Sequence, residues 1–304
     1  MTTKIINTDI IYYPYYIMVL PVILSIFIVL IILVIVCREL YKRNESFKGF
    51  IRTKNCFDDY FDMIVCICVP ERKEHMTKTF RQWGIKNVTF FDAYLKKDYT
   101  HQHFINIGFL NKDYNDYLNL GRICCHYSAL SVYKSFLNSS SERLLVFEDD
   151  LRTDTYKNVE HFNSILTPVL QTIPDNWDYL NFSKCYDFCT RNEDISNEYW
   201  SIPVRPLCRT AIALNKKSAK IILEYTSEMK HEPGDKMIGA LVKDKRFNAY
   251  ATKDIKFLQH REEFGSNLGN TLNGNPRMCT DTYLPNKYIE YYNSFQNNYK
   301  TDKP

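Results

Sequence analysis

The sequence predicts an α/β domain, in which helices flank a mostly parallel sheet, preceded by a single transmembrane helix. Three observations lead to this prediction. Short apolar runs alternate with amphipathic stretches from residue 62 onward, which is typical of βα units. One of these runs ends directly in three carboxylates, those of Glu148, Asp149 and Asp150. Residues 17–37 form an uncharged run that is long enough to cross a bilayer as a helix.

The composition limits the class of protein. Of the 304 residues, 45% are apolar and 24% are charged, as in a globular protein. The net charge of +4 is too small to indicate a nucleic-acid partner, so none is expected. The ten cysteines lack the paired spacing of a zinc site, and most of them are expected to be small buried hydrophobic residues. Their disulfide state depends on the compartment, which the sequence leaves open.

The uncharged run near the amino terminus sets the first segment boundaries. Tyrosines precede the run, as in an interfacial aromatic belt, and basic residues follow it where a signal peptide would have a cleavage site. We therefore expect a permanent single-pass anchor in the lipid bilayer. The predicted segments are a short tail over 1–16, the transmembrane helix over 17–37, a polar tether over 38–60, the folded domain over 61–264 and a loosely ordered tail over 265–304.

Two signals disagree about which side of the membrane the domain occupies. Arg38, Lys42 and Arg43 follow the run while only Lys4 precedes it, and this asymmetry favours a cytoplasmic domain. Four glycosylation sequons are compatible with a lumenal domain instead, and they begin at Asn44, Asn87, Asn138 and Asn181. An asparagine-rich chain also produces such sequons by chance. The localisation is therefore predicted as single-pass membrane, with the side left open.

The elements of the domain follow from periodicity and from residues that begin or end them. Gly84 is expected to end the first helix and Asn215 to cap a later one. The predicted strands cover 62–69, 87–91, 144–147, 177–182, 210–214 and 247–251. The predicted helices cover 71–83, 121–137, 159–173, 216–225 and 233–242. The segments 96–120 and 191–206 are expected to be irregular, the first with a short helix.

The carboxylates that follow the apolar run 144–147 are the strongest chemical signal. Side chains alternate along a strand, so Glu148 and Asp150 are expected on one side and Asp149 on the other. Two carboxylates on one side suit Mn²⁺ or Mg²⁺, which in turn can hold a diphosphate. A solvated acidic turn after a strand would have the same sequence.

An ordered series of short sequences resembles glycosyltransferase family 25. Gly121-Arg122-Ile123-Cys124-Cys125-His126-Tyr127-Ser128, followed by Leu145-Val146-Phe147-Glu148-Asp149-Asp150, is similar to the family's G-x-I-G-C-x-x-S-H helix and L-E-D-D strand. That family includes bacterial lipooligosaccharide and procollagen galactosyltransferases. The other similar pieces are Ile67-Cys68-Val69 with Arg72, Phe91-Asp92-Ala93, Trp177-Asp178-Tyr179-Leu180, 211–222, Asp235 and Phe264-Gly265-Ser266-Asn267, so that the resemblance covers residues 62–268.

The resemblance implies a GT-A-like, Rossmann-like fold and a metal-dependent transferase. It implies that Asp150 ligates Mn²⁺ or Mg²⁺, and that Glu148 or Asp149 positions the metal or the ribose of a UDP-sugar donor. His260 is a candidate third metal ligand, although a lone histidine is more often structural. If the sugar inverts, a carboxylate must take the proton of the acceptor hydroxyl, and Asp235 is the candidate. The helix dipole alone would also favour an acid at that position.

Further residues are expected to contact the nucleotide. Arg72, Asp92 and Ala93 would lie at the ends of the first two strands, where nucleotides bind in such sheets. An ordinary surface ion pair explains Arg72 and Asp92 equally well. Ser128 is a candidate nucleotide or acceptor contact, or a small residue that lets its helix pack closely.

The predicted function is transfer of a hexose, galactose or glucose by analogy, from a UDP-sugar to a glycan or protein hydroxyl, with inversion. The alternative is a catalytically weak anchored domain that binds a glycan or a protein partner. Departures from the family pattern suggest this alternative, and they are Cys124, Ala129 and Asn267. A phosphoryl-transfer enzyme of the P-loop type is disfavoured because the GxxxxGK[ST] sequence is absent.

Overall fold

The structure is a computed structural model, which describes residues 54–116, 118–184, 187 and 192–264 together with Ile31 and Val34. The chain separates into two compact units, Met1–Lys54 and Asn55–Pro304, and the second unit holds the sheet and its helices. The predicted transmembrane helix over 17–37, apart from Ile31 and Val34, and the predicted tail over 265–304 lie outside the described residues. Within the described residues, no helix is both long and apolar enough to cross a bilayer.

One eight-stranded sheet forms the centre of the domain, with the order β2-β1-β3-β7-β4-β8-β6-β5. Its strands are β1 (Met63–Cys68), β2 (Val88–Asp92), β3 (Arg143–Glu148), β4 (Tyr179–Asn181), β5 (Glu193–Asp194), β6 (Trp200–Ile202), β7 (Ala211–Asn215) and β8 (Ala249–Thr252). Strand β1 pairs in parallel with β2 and β3, and β4 pairs in parallel with β8. Strand β7 is antiparallel to both β3 and β4, and β6 is antiparallel to both β5 and β8.

The expectation of a mostly parallel α/β sheet is therefore confirmed only in part. The sheet is mixed, because the reversed strands β6 and β7 lie among strands that run the other way. Antiparallel pairing joins the two parallel groups at β7. An apolar run such as Ala211–Asn215 has the same composition in either direction, so the sequence predicted the strand but not its orientation.

Helices cover both faces of the sheet. They are α1 (Cys56–Tyr60), α2 (Lys73–Trp83), α3 (His101–Asn106), α4 (Leu120–Leu137), α5 (Val159–Gln171), α6 (Lys216–Thr226), α7 (Gly234–Lys243) and α8 (Arg261–Phe264). Gly84 ends α2 as predicted, in the left-handed conformation with φ of 75°, and its N–H donates to backbone carbonyls of the last turn. Asn215 caps α6, where its side chain accepts from the Ser218 N–H.

Side chains of β3 alternate between two separate hydrophobic cores, one on each face of the sheet. Leu145 and Phe147 pack into an aromatic core with α1, α2 and α5, whereas Leu144 and Val146 pack into a second core with α4, α6 and α7. All four side chains are almost fully buried. The central strand is thus covered on both faces, as a continuous apolar run predicts.

The buried cysteines agree with their predicted role. Cys66, Cys68 and Cys124 are free and buried, and burial raises the pKa of the Cys66 thiol well above its ordinary value. Cys208 differs, because it is disulfide-bonded. All five other cysteines among the described residues are free.

Short elements are the main departures from the prediction. Helix α1 lies within residues 38–60, which the sequence analysis assigned to a tether, and strands β5 and β6 lie within the predicted loop 191–206. Phe57 of α1 is fully buried, with its ring centroid 5.0 Å from that of Phe162. The Asn55 side chain also donates to the Trp83 carbonyl over 2.8 Å. Elements of two to five residues are too short to show a period, so only their tertiary contacts identify them.

Replacement of Phe57 tests whether α1 belongs to the folded domain. We expect Phe57→Ala to lower the free energy of unfolding by about 3–5 kcal/mol, because it leaves a cavity in the aromatic core. Asp59→Ser, at an exposed position of the same helix, should cost less than about 1 kcal/mol. Urea denaturation of the full-length protein measures both, and similar small losses would contradict the inclusion of α1 in the core.

Candidate active site

The ends of three central strands lie together at one end of the sheet. We call this place the acidic edge, because Glu148, Asp149 and Asp150 lie there at the end of β3. The carboxyl ends of β1 and β3 lie beside the start of the reversed strand β7. There the Glu148 N–H donates to the Thr210 carbonyl over 3.0 Å. In α/β sheets ligands bind outside the carboxyl ends of the parallel strands, so this edge is the expected place for a site.

Asp149 is bound by groups at the end of β1. Its carboxylate accepts from the Val69 N–H and from Arg72 Nη1, each over 2.7 Å. Both Asp149 and Arg72 are 8% exposed. Arg72 also donates to the Phe264 carbonyl over 3.1 Å, and its guanidinium carbon lies 4.8 Å from the centre of the Phe264 ring. This ion pair ties β1 to β3, and the nucleotide contacts predicted for the two residues stay predictions.

Glu148 lies among several other charged groups. Burial and the negative charges of Asp150 and Asp235 together raise the pKa of Glu148 to about 7, against the opposing effect of Arg209. The carboxyl of Glu148 thus titrates near neutral pH in the folded chain without a bound cation. The metal-binding role predicted for Glu148 and Asp150 stays a prediction.

Arg209, which the sequence analysis missed, supplies the buried positive charge of the site. The residue is 7% exposed. Burial by itself would lower its pKa, but the nearby ionisable groups Cys125, Tyr133, Glu148 and Asp235 raise the pKa above its ordinary value. The guanidinium therefore stays charged. Its only sequence signal is its position two residues before the apolar strand β7, which many solvated arginines share.

Asp235 reaches the same group of charges from α7. It lies in the first turn of that helix, and its Oδ1 and Oδ2 accept from the Lys236 and Cys208 N–H groups over 2.9 and 3.4 Å. Its charge raises the pKa values of both Glu148 and Arg209. The structure thus brings the candidate base to the acidic edge, and its role in proton transfer stays a prediction.

The carboxylates of Glu148, Asp150 and Asp235 are the candidates for holding a divalent cation. The charges of Asp150 and Asp235 raise the pKa of Glu148, and the charge of Arg209 lowers it. Among the described residues, no three His, Cys, Asp or Glu side chains converge as a metal-binding group. Magnesium is commonly held by one or two carboxylates together with water and substrate phosphates, and Glu148 with Asp150 matches that pattern.

The segment that contains His260 lies against the end of β3. The His260 N–H donates to the Asp150 carbonyl over 2.6 Å, and the Gln259 side chain donates to Glu148 Oε2 over 3.3 Å. The His260 Nδ1 lies 2.6 Å from Glu263 Oε2. Burial lowers the pKa of this imidazole, although Glu263 opposes the shift. The backbone of His260 is therefore at the site, while metal ligation by its ring stays a prediction.

The remaining predicted contacts lie around the end of β2. Asp92 is exposed and pairs in register with Cys68, and the Ala93 N–H donates to the Cys68 carbonyl over 3.0 Å. Ser128 is fully buried; its hydroxyl donates to the Cys124 carbonyl over 2.8 Å and accepts from the Tyr94 N–H over 3.0 Å. These bonds attach α4 to the chain after β2. The nucleotide contacts of Asp92, Ala93 and Ser128 stay predictions.

The fold and the acidic edge define a class of protein: α/β enzymes that bind their substrates outside the ends of central strands. The family model of glycosyltransferase family 25 (LPS biosynthesis protein) matches residues 68–238, which is more than half of the chain. The chain therefore belongs to glycosyltransferase family 25, and the resemblance seen in the sequence is confirmed. A comparison with curated proteins found no match. A glycosyltransferase requires a sugar donor and a glycan or other acceptor.

The raised pKa of Glu148 makes stability depend on pH. In the folded chain the carboxyl keeps its proton up to about pH 7, whereas in the unfolded chain it releases the proton at about the ordinary value of 4.5. The stabilisation from this proton is complete below the lower value and is lost as the pH rises through the higher one. Compared with Glu148→Gln, the wild type should lose up to about 1.4 kcal/mol per pH unit in this interval.

The measurement is urea denaturation of both proteins in EDTA at about pH 4.5, 6 and 7.5. Glu142→Gln, at an exposed position before the same strand, is the matched control and should follow the wild type. Parallel curves for wild type and Glu148→Gln would contradict the assigned shift.

Proposed function

We propose that the chain is a metal-dependent hexosyltransferase that moves galactose or glucose from a UDP-sugar to a hydroxyl group of a glycan or protein. One observation carries the proposal: in this chain of glycosyltransferase family 25, Glu148 ends β3 and Asp150 follows it, against the segment that carries Gln259 and His260. Such an arrangement suits a substrate that brings a diphosphate and a divalent cation.

The departing nucleotide diphosphate determines what the acidic edge has to do. Negative charge grows on the diphosphate as the bond to the sugar breaks, and a bound Mn²⁺ or Mg²⁺ supplies Lewis-acid stabilisation of that charge. The carboxylates of Glu148 and Asp150 would hold the cation, with His260 as a further ligand. Gln259 supports this role because it donates to Glu148 Oε2 and so restrains the carboxylate.

Asp235 is the proposed base for the acceptor. In an inverting displacement the acceptor oxygen bonds to the sugar as the diphosphate leaves from the opposite face, and the hydroxyl proton must go to a nearby carboxylate. Backbone N–H groups of Lys236 and Cys208 restrain the Asp235 carboxylate. A carboxylate held in a fixed position is what this step requires.

The ends of β1 and β2 are the proposed place for the nucleoside. Asp92 is exposed there, so its carboxylate is accessible to ribose hydroxyl groups. Arg72 and Asp149 form an ion pair with each other, and the Ser128 hydroxyl accepts a hydrogen bond from the Tyr94 N–H. We therefore propose that these three residues form part of the wall of the nucleotide site. Ala93 belongs to the same wall, because its N–H donates a hydrogen bond to the Cys68 carbonyl.

The uncharged run over 17–37 is the proposed membrane anchor, so that the enzyme acts beside a bilayer. Charge asymmetry around the run favours a cytoplasmic domain, and the accessible sequons leave a lumenal domain open. Asn87 and Asn138 are exposed, whereas Asn181 is fully buried within β4. Only the first two of these three could therefore carry a glycan on the folded domain.

A second candidate function is glycan or protein binding without turnover. Its support is Ala129, which stands where the family pattern has a histidine and which is buried in the core on α4. The acids at the end of β3 are unchanged relative to the family pattern, and this favours the enzyme.

Asp150→Asn tests the proposed enzyme. The full-length protein is incubated with Mn²⁺, a panel of UDP-sugars and glycan acceptors, and the release of UDP is measured. We expect Asp150→Asn to lower the rate by at least about 100-fold, because loss of a metal-binding carboxylate removes several kcal/mol of transition-state stabilisation. Asp194→Asn, an exposed aspartate on β5 at the far edge of the sheet, is the control and should keep the wild-type rate. A wild type that releases UDP from no donor would favour the binding function.

Endoglycosidase treatment tests the side of the membrane. A cytoplasmic domain predicts no change in the gel mobility of the protein expressed in eukaryotic cells. A mobility shift that disappears in the double variant Asn87→Gln/Asn138→Gln would place the domain in the lumen and contradict the charge rule. Asn181→Gln should have no effect on mobility in either case, because that side chain is fully buried.

A further inference from the structure

Arg209 is held by α4 through both of its terminal nitrogens. Nη1 lies 3.2 Å from His126 Nδ1, and Nη2 donates to Cys125 Sγ over 3.1 Å. The charge of the same guanidinium acts on Glu148 and Asp235. Arg209 therefore connects the middle of a helix to the acids of the site. The sequence resemblance assigned no role to Arg209 or His126.

The contacts of His126 define its protonation. Nε2 lies 2.9 Å from the Thr226 carbonyl, which can only accept, so Nε2 carries the hydrogen. Nδ1 is then bare and accepts from Arg209, which can only donate. Burial and the charge of Arg209 lower the pKa of His126 to about 3. The imidazole is thus neutral at physiological pH, in one tautomer.

The same ring also supports the start of α7. A Cβ atom added to Gly234 would lie 2.0 Å from His126 Nδ1, so the helix begins directly against the imidazole. Asp235 is the next residue, and the Cys208 N–H that donates to it immediately precedes Arg209 in the chain. The positions of Arg209 and Asp235 both depend on the His126 ring.

We propose that His126 and Arg209 form a positioning pair for the catalytic carboxylates. His126 accepts one guanidinium hydrogen and so orients Arg209 toward Glu148 and Asp235, while its ring sets where α7 and therefore Asp235 begin. The inference rests on the proposed function, because it assigns the pair to the site of sugar transfer. A planar guanidinium is required, since it can bond to two groups of α4 while its charge acts on the acids.

The first arm of the test is kinetic, on full-length protein with Mn²⁺ and the UDP-sugar from which the wild type releases UDP. We expect Arg209→Met and His126→Leu to lower kcat on the order of 100-fold. The KM for the donor should stay within about twofold, because neither side chain binds the donor. Arg209→Lys should recover little, because an ammonium cannot bond to both partners in the plane of the fork.

His126→Gln is the conservative variant of this arm. A glutamine amide can accept from Arg209 and donate to the Thr226 carbonyl, so kcat should recover to within about tenfold of the wild type. The controls are Arg246→Met and His103→Gln, both at exposed positions, which should keep the wild-type kcat. Wild-type kcat in His126→Leu, or equal losses in the leucine and glutamine variants, would overturn the proposal.

The second arm of the test is spectroscopic and does not require catalytic activity. Nitrogen NMR of full-length protein with ¹⁵N-labelled histidine, assigned by loss of a signal in His126→Gln, should show a neutral Nε2–H imidazole at neutral pH. Arg209→Met should shift the Nδ1 resonance. A charged imidazole, the other tautomer or an unshifted resonance would overturn the pair. If the wild type releases no UDP from any donor, the proposed function fails, and the spectrum still decides the pair.

Discussion

The buried charge of Arg209 is the constraint on which the site depends. Three carboxylates at one edge of a sheet repel each other, and burial makes each charge costly. A single guanidinium in their midst offsets part of that cost, and the neutral His126 orients it without adding a competing charge. The remaining negative charge is the physical basis of the proposal that this end of the sheet binds a cation together with a diphosphate.

The adjacent acids at the end of β3 have different partners. Asp149 faces β1, where Arg72 and the Val69 N–H bind it and join the two strands. Glu148 accepts from Gln259 instead, and burial with the charge of Asp150 raises its pKa to about 7. Asp149 thus joins the two strands, and the metal-binding roles of Glu148 and Asp150 belong to the proposed function.

The site is assembled from residues that are far apart in the chain. Gln259 donates to Glu148 across 111 positions, and the Phe264 carbonyl accepts from Arg72 across 192. Both contacts bring the segment after β8 back to the acidic edge. The two cores on either side of β3 make this assembly rigid, because the same strand that ends in the acids is fully buried on both faces.

The sequence by itself determined the local features of this protein. The longer helices, the central strands, the stop at Gly84, the cap at Asn215 and the acids at the end of β3 follow from periods and contacts within a few residues of each other. Only the tertiary structure decided the reversed direction of β7, the inclusion of α1 in the core and the contacts of Arg209 and His126. The reason is that burial and Coulomb interactions join residues that are distant in the chain, and such partners leave no pattern in the sequence.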